Sequence, residues 1–189
     1  TVGGAYENYV TPEMCVPEKP LRVPWESCLT LGADFNYAYG DHYKSQRELV
    51  NLLVNIVAKG GNMALNVSPQ PDGRIPVEAW ESLRGLGAWM QTYGEAIYGT
   101  RICAPYQSGN LAFTQKGDTV YAIRLYPEEG EAVEEKLLIP YQGKIRGISM
   151  VDTKKEAEWK MTEEGIQVVI PQEYREGETP IAIVWKIEQ

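Results

Sequence analysis

Apolar residues recur at helical spacing between Ser45 and Lys59. Ser45 opens this stretch with Glu48 three residues later, which is the spacing of a capping box. The apolar positions then follow at i, i+3, i+4, i+7 and i+8: Leu49, Leu52, Leu53, Ile56 and Val57. This pattern predicts an amphipathic helix. Lys59 places a cation in its last turn, where the helix dipole favours positive charge.

A short apolar run follows this helix, and it predicts a buried strand over Met63–Val67. The paired glycines at 60 and 61 end the helix before it, because a residue just past a helix end often needs φ > 0. Prolines and a glycine break the chain again after the run. In α/β proteins the chemistry lies at the carboxyl ends of such strands. Here that end reads Asn66-Val67-Ser68-Pro69.

A second helix is predicted from about Pro76, which suits a first helical turn, to Tyr93. Its apolar stripe is predicted at Trp80, Leu83, Gly87 and Met90. The small Gly87 is expected to let a neighbouring element approach the helix closely.

After Thr100 the periodicity changes to alternation, and turn residues recur at short intervals. Six strands are predicted: Leu111–Thr114, Val120–Tyr126, Lys136–Pro140, Ile145–Val151, Ile166–Ile170 and Ile181–Ile187. Short strands separated by glycine and aspartate turns favour an antiparallel β-sandwich. The predicted fold is therefore α/β followed by all-β, with a boundary near Gly99–Pro105 that separates domains 1–100 and 101–189.

Composition and charge exclude several classes of partner. The chain has 189 residues, enough to bury a real core. Its net charge of −8 and its pI near 4.8 argue against nucleic acid and anionic membranes as partners. No apolar run reaches the roughly 18 residues of a membrane span. The sequence beginning at Thr1 has no signal-peptide pattern, and it resembles the middle of a domain. We expect the chain to be a fragment or a processed piece.

Cysteine and histidine usage leaves carboxylates as the candidate chemical groups. Cys15, Cys28 and Cys103 lack metal-binding spacing and are predicted to be free thiols. His42 is the single histidine, which removes a Ser-His-Asp triad and a multi-histidine metal site. It lies in a polar loop and is expected to be solvated. No metal or cofactor is expected.

The glutamate-rich stretch 128–135 is predicted to be a solvated loop.

Residues 1–40 combine many aromatic side chains with closely spaced prolines, so long helices are not expected there. Glu7, Glu13 and Glu26 each lie close to an aromatic residue or a proline in this segment. Glycoside hydrolysis needs two carboxyl groups flanking the scissile bond, and aromatic loops suit a sugar site. The spacing does not choose among the three glutamates. An aromatic-packed loop with no ligand is the alternative.

An ordered series of short motifs covers about residues 5–100. The series reads Thr11-Pro12-Glu13, Trp25-Glu26-Ser27-Cys28-Leu29-Thr30, Phe35-Asn36-Tyr37, Tyr43-Lys44-Ser45, Glu48-Leu49-Val50, Lys59-Gly60-Gly61-Asn62, Leu65-Asn66-Val67, Pro71-Asp72-Gly73, Ile75-Pro76 and Gly94-Glu95-Ala96-Ile97-Tyr98-Gly99-Thr100. In this order the motifs resemble the retaining α-L-fucosidases, glycoside hydrolase family 29. Residues 101–189 match only in kind, as the C-terminal β-sandwich of such enzymes.

The resemblance implies a fold and a set of site residues. It implies that 1–100 is the C-terminal part of a (β/α)8-like catalytic barrel, with Met63–Val67 as the final strand. It places the general acid/base at Glu13, with Glu7 and Glu26 as reserves because this position varies in the family. Phe35 and Trp25 form the expected substrate-binding pair. Phe35 would pack on the methyl side of fucose, and Trp25 is also expected to brace its loop.

Three residues at two places in the chain depart from the family pattern that the resemblance implies. The family usually shows Trp-Gly-Tyr where this chain has Phe35-Asn36-Tyr37, and Gly is common where Ser68 precedes Pro69. These departures concern the fit of the substrate, because both lie in segments expected at the site.

The resemblance also implies that a part of the enzyme lies elsewhere. The family's nucleophilic aspartate and its sugar-binding histidines come earlier in the barrel and have no counterpart here. The expected partners are a fucosylated glycan or small fucoside, together with a missing N-terminal barrel portion or a second copy. A secreted, periplasmic or lysosomal-type compartment is implied. Two alternatives remain: a non-catalytic sugar-binding or structural fragment, and a glycosidase that uses two glutamates of this chain.

Overall fold

The structure is a computed structural model that describes residues 8–189. The chain divides into two compact units, Thr1–Gln91 and Thr92–Gln189. The sequence-based boundary between 100 and 101 stays a prediction. None of the helices in residues 8–189 has the length and apolar character that a membrane span requires.

The first unit is built around a pair of parallel strands. Strand β1 (Glu26–Thr30) pairs with strand β2 (Asn62–Asn66), in a register that runs from Glu26 opposite Asn62 to Thr30 opposite Asn66. Helix α1 (Gln46–Ala58) connects them, which makes a β-α-β unit. The loop-like reading of residues 1–40 was wrong at β1, because proline density excludes long helices but leaves room for a five-residue strand.

A third segment runs parallel to β1 on the side away from β2. Val10 bridges Trp25, and Glu13 bridges Cys28. Four backbone hydrogen bonds of 2.9–3.1 Å join this segment to β1 and the residues just before it. Residues 10–13, β1 and β2 therefore form three adjacent parallel segments.

The predicted caps of helix α1 are confirmed. The Ser45 hydroxyl accepts from the Glu48 backbone N–H, and the Glu48 carboxylate accepts from the Ser45 N–H. Gly60 follows the helix with φ of +80°, as a glycine past a helix end often does. Lys59 is the C-cap residue, because the helix ends at Ala58, so the prediction that it lies in the last turn was wrong. Its side chain is 6% exposed, and its Nζ donates to the Pro17 carbonyl at 2.8 Å, so this cation anchors a loop.

The buried face of α1 is broader than its predicted stripe. Leu49 and Ile56 are fully buried as expected, but Val50 and Val54 are fully buried too. Strand β2 is half-buried, so the prediction of a buried strand was wrong. One face of β2 packs on apolar residues, while the other carries Asn62 and Asn66.

Trp25 packs against the backbone at the amino ends of β1 and β2. Its ring is 1% exposed and packs with Val10, Leu29 and Ile56. A Cβ placed on Gly61 would overlap three atoms of the Trp25 ring. The absence of a side chain at Gly61 therefore lets the indole lie against the backbone that leads into β2.

Helix α2 (Val77–Tyr93) has the predicted extent, but its apolar stripe is rotated. Ala79, with Leu83 and Leu86, joins a cluster around Leu31 and Leu49, whereas Trp80 is 46% exposed beside Arg84. The close approach predicted at Gly87 occurs elsewhere, because nothing lies within 4 Å of a Cβ at that position. It occurs at Gly85, whose carbonyl accepts from Gln46 Nε2 at 2.8 Å.

The second unit is an antiparallel β-sandwich. Its strands are β3 (Gln107–Ser108), β4 (Leu111–Lys116), β5 (Thr119–Leu125), β6 (Lys136–Ile139), β7 (Gly147–Met150), β8 (Trp159–Thr162), β9 (Gly165–Val169) and β10 (Ala182–Glu188). They form a five-stranded sheet in the order β3-β4-β5-β10-β7 and a three-stranded sheet in the order β6-β9-β8. The six predicted strands are confirmed; β3, β8 and the short helix α3 (Gln172–Arg175) were not predicted.

One apolar core joins the two sheets of the sandwich. Phe113, Ile183 and Trp185 from the larger sheet pack with Ile166 and Val168 of β9. All five residues are fully buried. The alternation predicted for the last strand therefore points Ile183 and Trp185 into the core between the sheets.

The Gly94–Thr100 motif anchors the start of the second unit to the sandwich. The Glu95 carboxylate accepts from Lys154 Nζ at 2.6 Å and from the Tyr121 hydroxyl at 3.2 Å. The Thr114 hydroxyl donates to the Ala96 carbonyl at 2.6 Å. The motif therefore has a structural role in this unit.

The glutamate-rich stretch 128–135 is not simply solvated, which corrects its prediction. Arg124 pairs with Glu131 at 3.1 Å and with Glu134 at 2.9 Å, and its guanidinium lies over the Tyr126 ring. The Tyr126 hydroxyl donates to Glu134 at 3.0 Å. Burial raises the pKa of Glu134, but hydrogen bonds, chiefly from Arg124, outweigh it, so the pKa lies below its ordinary value. The high content of glutamate in this stretch does not indicate that one arginine forms ion pairs with two of these glutamates.

Gly61→Ala should destabilise the chain by about 1–3 kcal/mol, because the new methyl group overlaps the Trp25 ring. Gly87→Ala is the matched control: the position is open and helical, and the change should stabilise by about 0.5–1 kcal/mol. Urea unfolding followed by circular dichroism measures both. Equal unfolding midpoints for the two variants would contradict the close packing of Trp25 on Gly61.

Glu134→Gln should lower the free energy of unfolding by about 1–2 kcal/mol at pH 7, because it removes a charged acceptor from Arg124. The folded pKa lies below the ordinary value of 4.5, so this stabilisation exists above pH 4.5 and disappears as the pH falls through the folded pKa. The exposed Glu129→Gln is the control. Compared with the unmodified chain, Glu134→Gln should be less stable at pH 7 but not at acid pH, and Glu129→Gln should match the unmodified chain at both. A loss of the same size at both pH values would refute the charged contact.

Candidate functional site

The two faces of the parallel segments have opposite character. Alternate residues of a strand point to opposite faces. Leu29, Met63 and Leu65 pack with Ile56 of α1 on one face. The other face carries Glu26, Cys28 and Thr30 of β1 beside Asn62, Ala64 and Asn66 of β2. We call this second set the polar face.

Glu13 lies on the polar face. Its bridge partner is Cys28, and parallel partners point to the same side of a sheet. Backbone bonds hold its level: Cys28 N donates to the Pro12 carbonyl and Met14 N donates to the Cys28 carbonyl, both at 2.9 Å. The Glu13 side chain is exposed. The backbone bonds therefore fix the position of Glu13 along the strands, opposite Cys28, while its carboxylate remains accessible.

Glu26 lies on the same face, two residues nearer the amino end of β1. With strands about 4.8 Å apart and a rise of about 3.3 Å per residue, the Glu13 and Glu26 Cα atoms are roughly 8 Å apart. Trp25 points to the opposite, apolar face. Glu7 lies outside the described residues. In residues 8–189, no group of three or more histidine, cysteine or acidic residues could hold a metal ion. Cys15, Cys28 and Cys103 are free thiols, as the sequence predicted.

A loop over residues 31–44 follows the carboxyl end of β1. Leu31 N donates to the Asn66 carbonyl, and Lys44 N donates to the Leu31 carbonyl, both at 2.9 Å. Lys44 Nζ donates to the Thr30 carbonyl at 2.7 Å and to the Gly32 carbonyl at 3.3 Å. The lysine thus holds both carbonyls where the strand ends and the loop begins.

Asp41 fixes the interior of this loop. Its carboxylate accepts from the Ala33 N–H at 3.1 Å and from the His42 N–H at 2.8 Å. A Cβ on Gly32 would overlap the same carboxylate. His42 itself is exposed, in agreement with its predicted surface position.

Phe35 is held against the carboxyl end of β2. Its carbonyl accepts from Asn66 Nδ2 at 3.1 Å and from the Ser68 hydroxyl at 2.7 Å. Asn66 Nδ2 also donates to Ser68 Oγ at 3.1 Å. The Phe35 side chain is half-buried. The strand end that the sequence marked as chemically important therefore positions an aromatic residue of the neighbouring loop.

The structure brings some of the predicted site residues together and separates others. Glu13 and Glu26 share the polar face, and Phe35 lies at the carboxyl end of the same strands. Trp25 belongs to the apolar face. Sequence reasoning assigned no role to Asp41, and it named Lys44 only as part of the Tyr43-Lys44-Ser45 motif. The sequence feature that could have indicated them is a pair of opposite charges between an aromatic loop and Ser45, the N-cap residue of α1.

A family comparison identifies these segments. The model of the family described as α-L-fucosidase matches residues 1–95, just over half of the chain, and contains every segment of the polar face and the Phe35 loop. The chain belongs to the α-L-fucosidase family.

Relatives of the α-L-fucosidase family cover both units. The tissue α-L-fucosidase of Macaca fascicularis is 30% identical over 183 residues, which is 90% of this chain and 38% of the relative. The α-L-fucosidase of Branchiostoma floridae is 32% identical over 160 residues, which is 78% of this chain and 34% of the relative. The chain thus spans little more than a third of the length of these relatives.

Solved α-L-fucosidase structures have the same fold over nearly the whole chain. Isoenzyme 1 from Paenibacillus thiaminolyticus superposes with a TM-score of 0.84 at 26% identity, covering 96% of this chain and 45% of that protein. The α-fucosidase of Thermotoga maritima, solved with a mechanism-based inhibitor, gives 0.82 at 28% identity over 99% of this chain and 44% of that protein. The β-sandwich of the second unit agrees with these fucosidase neighbours.

Lys44→Met should loosen the loop over 31–44, because it leaves the Thr30 and Gly32 carbonyls without their ammonium donor. Chymotrypsin should then cleave after Phe35, Tyr37 or Tyr39 about three- to tenfold faster than in the unmodified chain. The exposed Lys19→Met is the control and should leave the rate unchanged. If both variants are cleaved at the unmodified rate, Lys44 does not hold this loop.

Proposed function

We propose that this chain is the carboxyl-terminal part of a retaining exo-α-L-fucosidase, which hydrolyses terminal α-L-fucose from glycans or small fucosides. The observation that carries the proposal is the placement of Glu13. Its exposed carboxylate stands on the polar face, and Phe35 lies at the carboxyl end of the same strands. Membership of the α-L-fucosidase family supports the substrate class.

The first unit is proposed to be an arc of a (β/α)8-like barrel, with the catalytic portion at 1–100 and the sandwich at 101–189. Three parallel segments with α1 packed on one face and a polar second face suit such an arc, because barrel helices lie outside and the chemistry lies at the carboxyl ends of the strands. Within residues 8–189, neither outer edge of these segments pairs with another strand.

Glu13 is proposed to act as the general acid/base. In the first step its carboxylic acid gives a proton to the glycosidic oxygen, while an aspartate from outside this sequence attacks C1 and the C1–O bond breaks. In the second step the Glu13 carboxylate takes a proton from water, and that water's oxygen displaces the aspartate from C1. The sugar leaves with its original anomeric configuration, and Glu13 is protonated again.

The remaining predicted residues receive different roles. Phe35 is proposed to meet the C6 methyl group of fucose, a contact that supplies about 1–3 kcal/mol of discrimination. Trp25 was predicted to bind substrate, but its burial supports a bracing role under β1 and β2. Glu7 and Glu26 remain reserves for the acid/base position.

The proposed partner of the polar face is the N-terminal barrel portion, or a second copy of the chain in its place. The face presents Glu26 and Asn62, and among the described residues no strand pairs with the edge beside β2. Open strand edges and a polar interior face are what the missing barrel strands would cover.

The common face of Glu13 and Glu26 favours one second candidate, a glycosidase that uses both glutamates. Retaining enzymes hold their carboxyl groups about 5–5.5 Å apart, and two glutamate side chains on Cα atoms roughly 8 Å apart can reach that separation. This candidate would make the chain active without an aspartate from elsewhere.

Nitrophenol release from an aryl α-L-fucoside, measured with and without the N-terminal portion, tests the proposal. Activity is expected only with that portion present. Activity of the 189-residue chain by itself would favour the two-glutamate candidate. No activity in either case, together with retained fucose binding, would favour a non-catalytic sugar-binding fragment.

Glu13→Gln should lower kcat on a natural fucoside by about 10²–10⁴-fold, because the amide cannot donate the proton that the leaving oxygen needs. The exposed helical residue Glu81 gives the matched control, and Glu81→Gln should keep full activity. Steady-state hydrolysis of a fucosylated oligosaccharide by the assembly of each variant with the N-terminal portion measures both. Unchanged turnover in Glu13→Gln would remove Glu13 from the acid/base role.

A further inference from the structure

Two side chains from the end of β2 converge on one backbone atom of the Phe35 loop. Asn66 Nδ2 and Ser68 Oγ both donate to the Phe35 carbonyl, at 3.1 and 2.7 Å. Asn66 Nδ2 also donates to Ser68 Oγ at 3.1 Å. The three groups form a closed hydrogen-bonded triangle that we call the Phe35 clamp.

The three hydrogen bonds of the clamp use the three available donor protons, each once. The single Ser68 hydroxyl proton goes to the Phe35 carbonyl, and its oxygen accepts from Asn66. The two protons of the Asn66 amide go to the two acceptors. Asn66-Val67-Ser68 spells a glycosylation sequon, but the amide nitrogen that would carry a glycan is the one that makes these two bonds.

The clamp acts on the part of the loop that carries the aromatic residue. Other parts of the loop are fixed separately: Lys44 binds carbonyls at the end of β1, and Asp41 binds backbone amides within the loop. The clamp fixes the peptide plane that follows the Phe35 Cα. Since backbone geometry restricts the side-chain rotamer, fixing this plane restricts where the Phe35 ring points.

We propose that Ser68, together with Asn66, is a positioning residue for substrate selectivity, which acts by holding the Phe35 ring where it meets the C6 methyl group of the sugar. This inference rests on the proposed function. Ser68 occupies a position where the resemblance leads one to expect glycine, and it accompanies Phe35, which is smaller than the tryptophan that the resemblance leads one to expect. The substrate class that the clamp favours is a 6-deoxy-L-galactoside over the 6-hydroxy L-galactoside.

Hydrogen–deuterium exchange tests the clamp without any need for activity. In the 189-residue chain, Ser68→Ala should speed exchange of the backbone amides in 33–38 about three- to tenfold, because one of the two bonds to the Phe35 carbonyl is lost. Ser68→Thr keeps the hydroxyl and should restore the unmodified rate. Ser82→Ala, in helix α2, makes the same chemical change away from the loop and should have no effect there.

Kinetics with the N-terminal portion present tests the selectivity. Ser68→Ala should raise KM for an aryl α-L-fucoside about three- to tenfold with kcat within twofold. The preference for the fucoside over the aryl α-L-galactoside, as a ratio of kcat/KM, should fall at least threefold. In a Phe35→Ala background, Ser68→Ala should change this ratio no further, because the ring through which it acts is gone.

The outcomes separate the inference from the proposed function. An inactive wild-type assembly would overturn the proposed function, and with it the selectivity claim. An active assembly in which Ser68→Ala leaves either the exchange rate or the selectivity ratio unchanged would overturn the inference by itself. A further loss of selectivity in the Phe35→Ala background would also overturn it, because Ser68 would then act by another route.

Discussion

The main-chain pairing of residues 10–13 with β1, and of β1 with β2, is the constraint on which the first unit depends. A shift of one residue would turn every side chain of a strand to the other face. With the observed register, Leu29, Met63 and Leu65 meet the apolar residues of α1, and Glu13, Glu26 and Asn66 are left together on the opposite side. The burial of one face therefore determines which groups are available for chemistry on the other.

Trp25 packs on Gly61 at the amino end of the strands. The loop over 31–44 is attached to the same strands at their carboxyl end. Lys44, Asp41 and the Phe35 clamp attach that loop to β1 and β2 by hydrogen bonds from side chains to backbone. The packed end supplies rigidity, and the hydrogen-bonded end presents an accessible carboxylate and a half-buried aromatic ring. This division suits a site that must hold a catalytic group still while it admits a sugar.

The sequence predicted the elements whose signals are local. The capping box of Ser45 and Glu48, the glycine past α1 and the alternation of the sandwich strands follow from short-range rules, and each was confirmed. The polar strand end at Asn66 was recognised from its position after an apolar run. What failed depended on partners far along the chain: the rotated face of α2 is set by Leu31 and Leu49, and the close approach at Gly85 by Gln46. Arg124 binds Glu131 and Glu134, which lie only seven and ten residues further along, through side-chain contacts that no periodic pattern encodes.

The central claim is that this chain supplies the acid/base glutamate of a fucosidase whose nucleophile lies outside it. The most direct measurement is to trap the glycosyl-enzyme with a mechanism-based fluorinated fucosyl donor, in the assembly of this chain with its N-terminal portion, and to map the labelled peptide by mass spectrometry. The account predicts a fucosyl adduct on an aspartate of the N-terminal portion and an unlabelled 189-residue chain. An adduct on Glu13 or Glu26 would contradict it, because the nucleophile would then belong to the polar face itself.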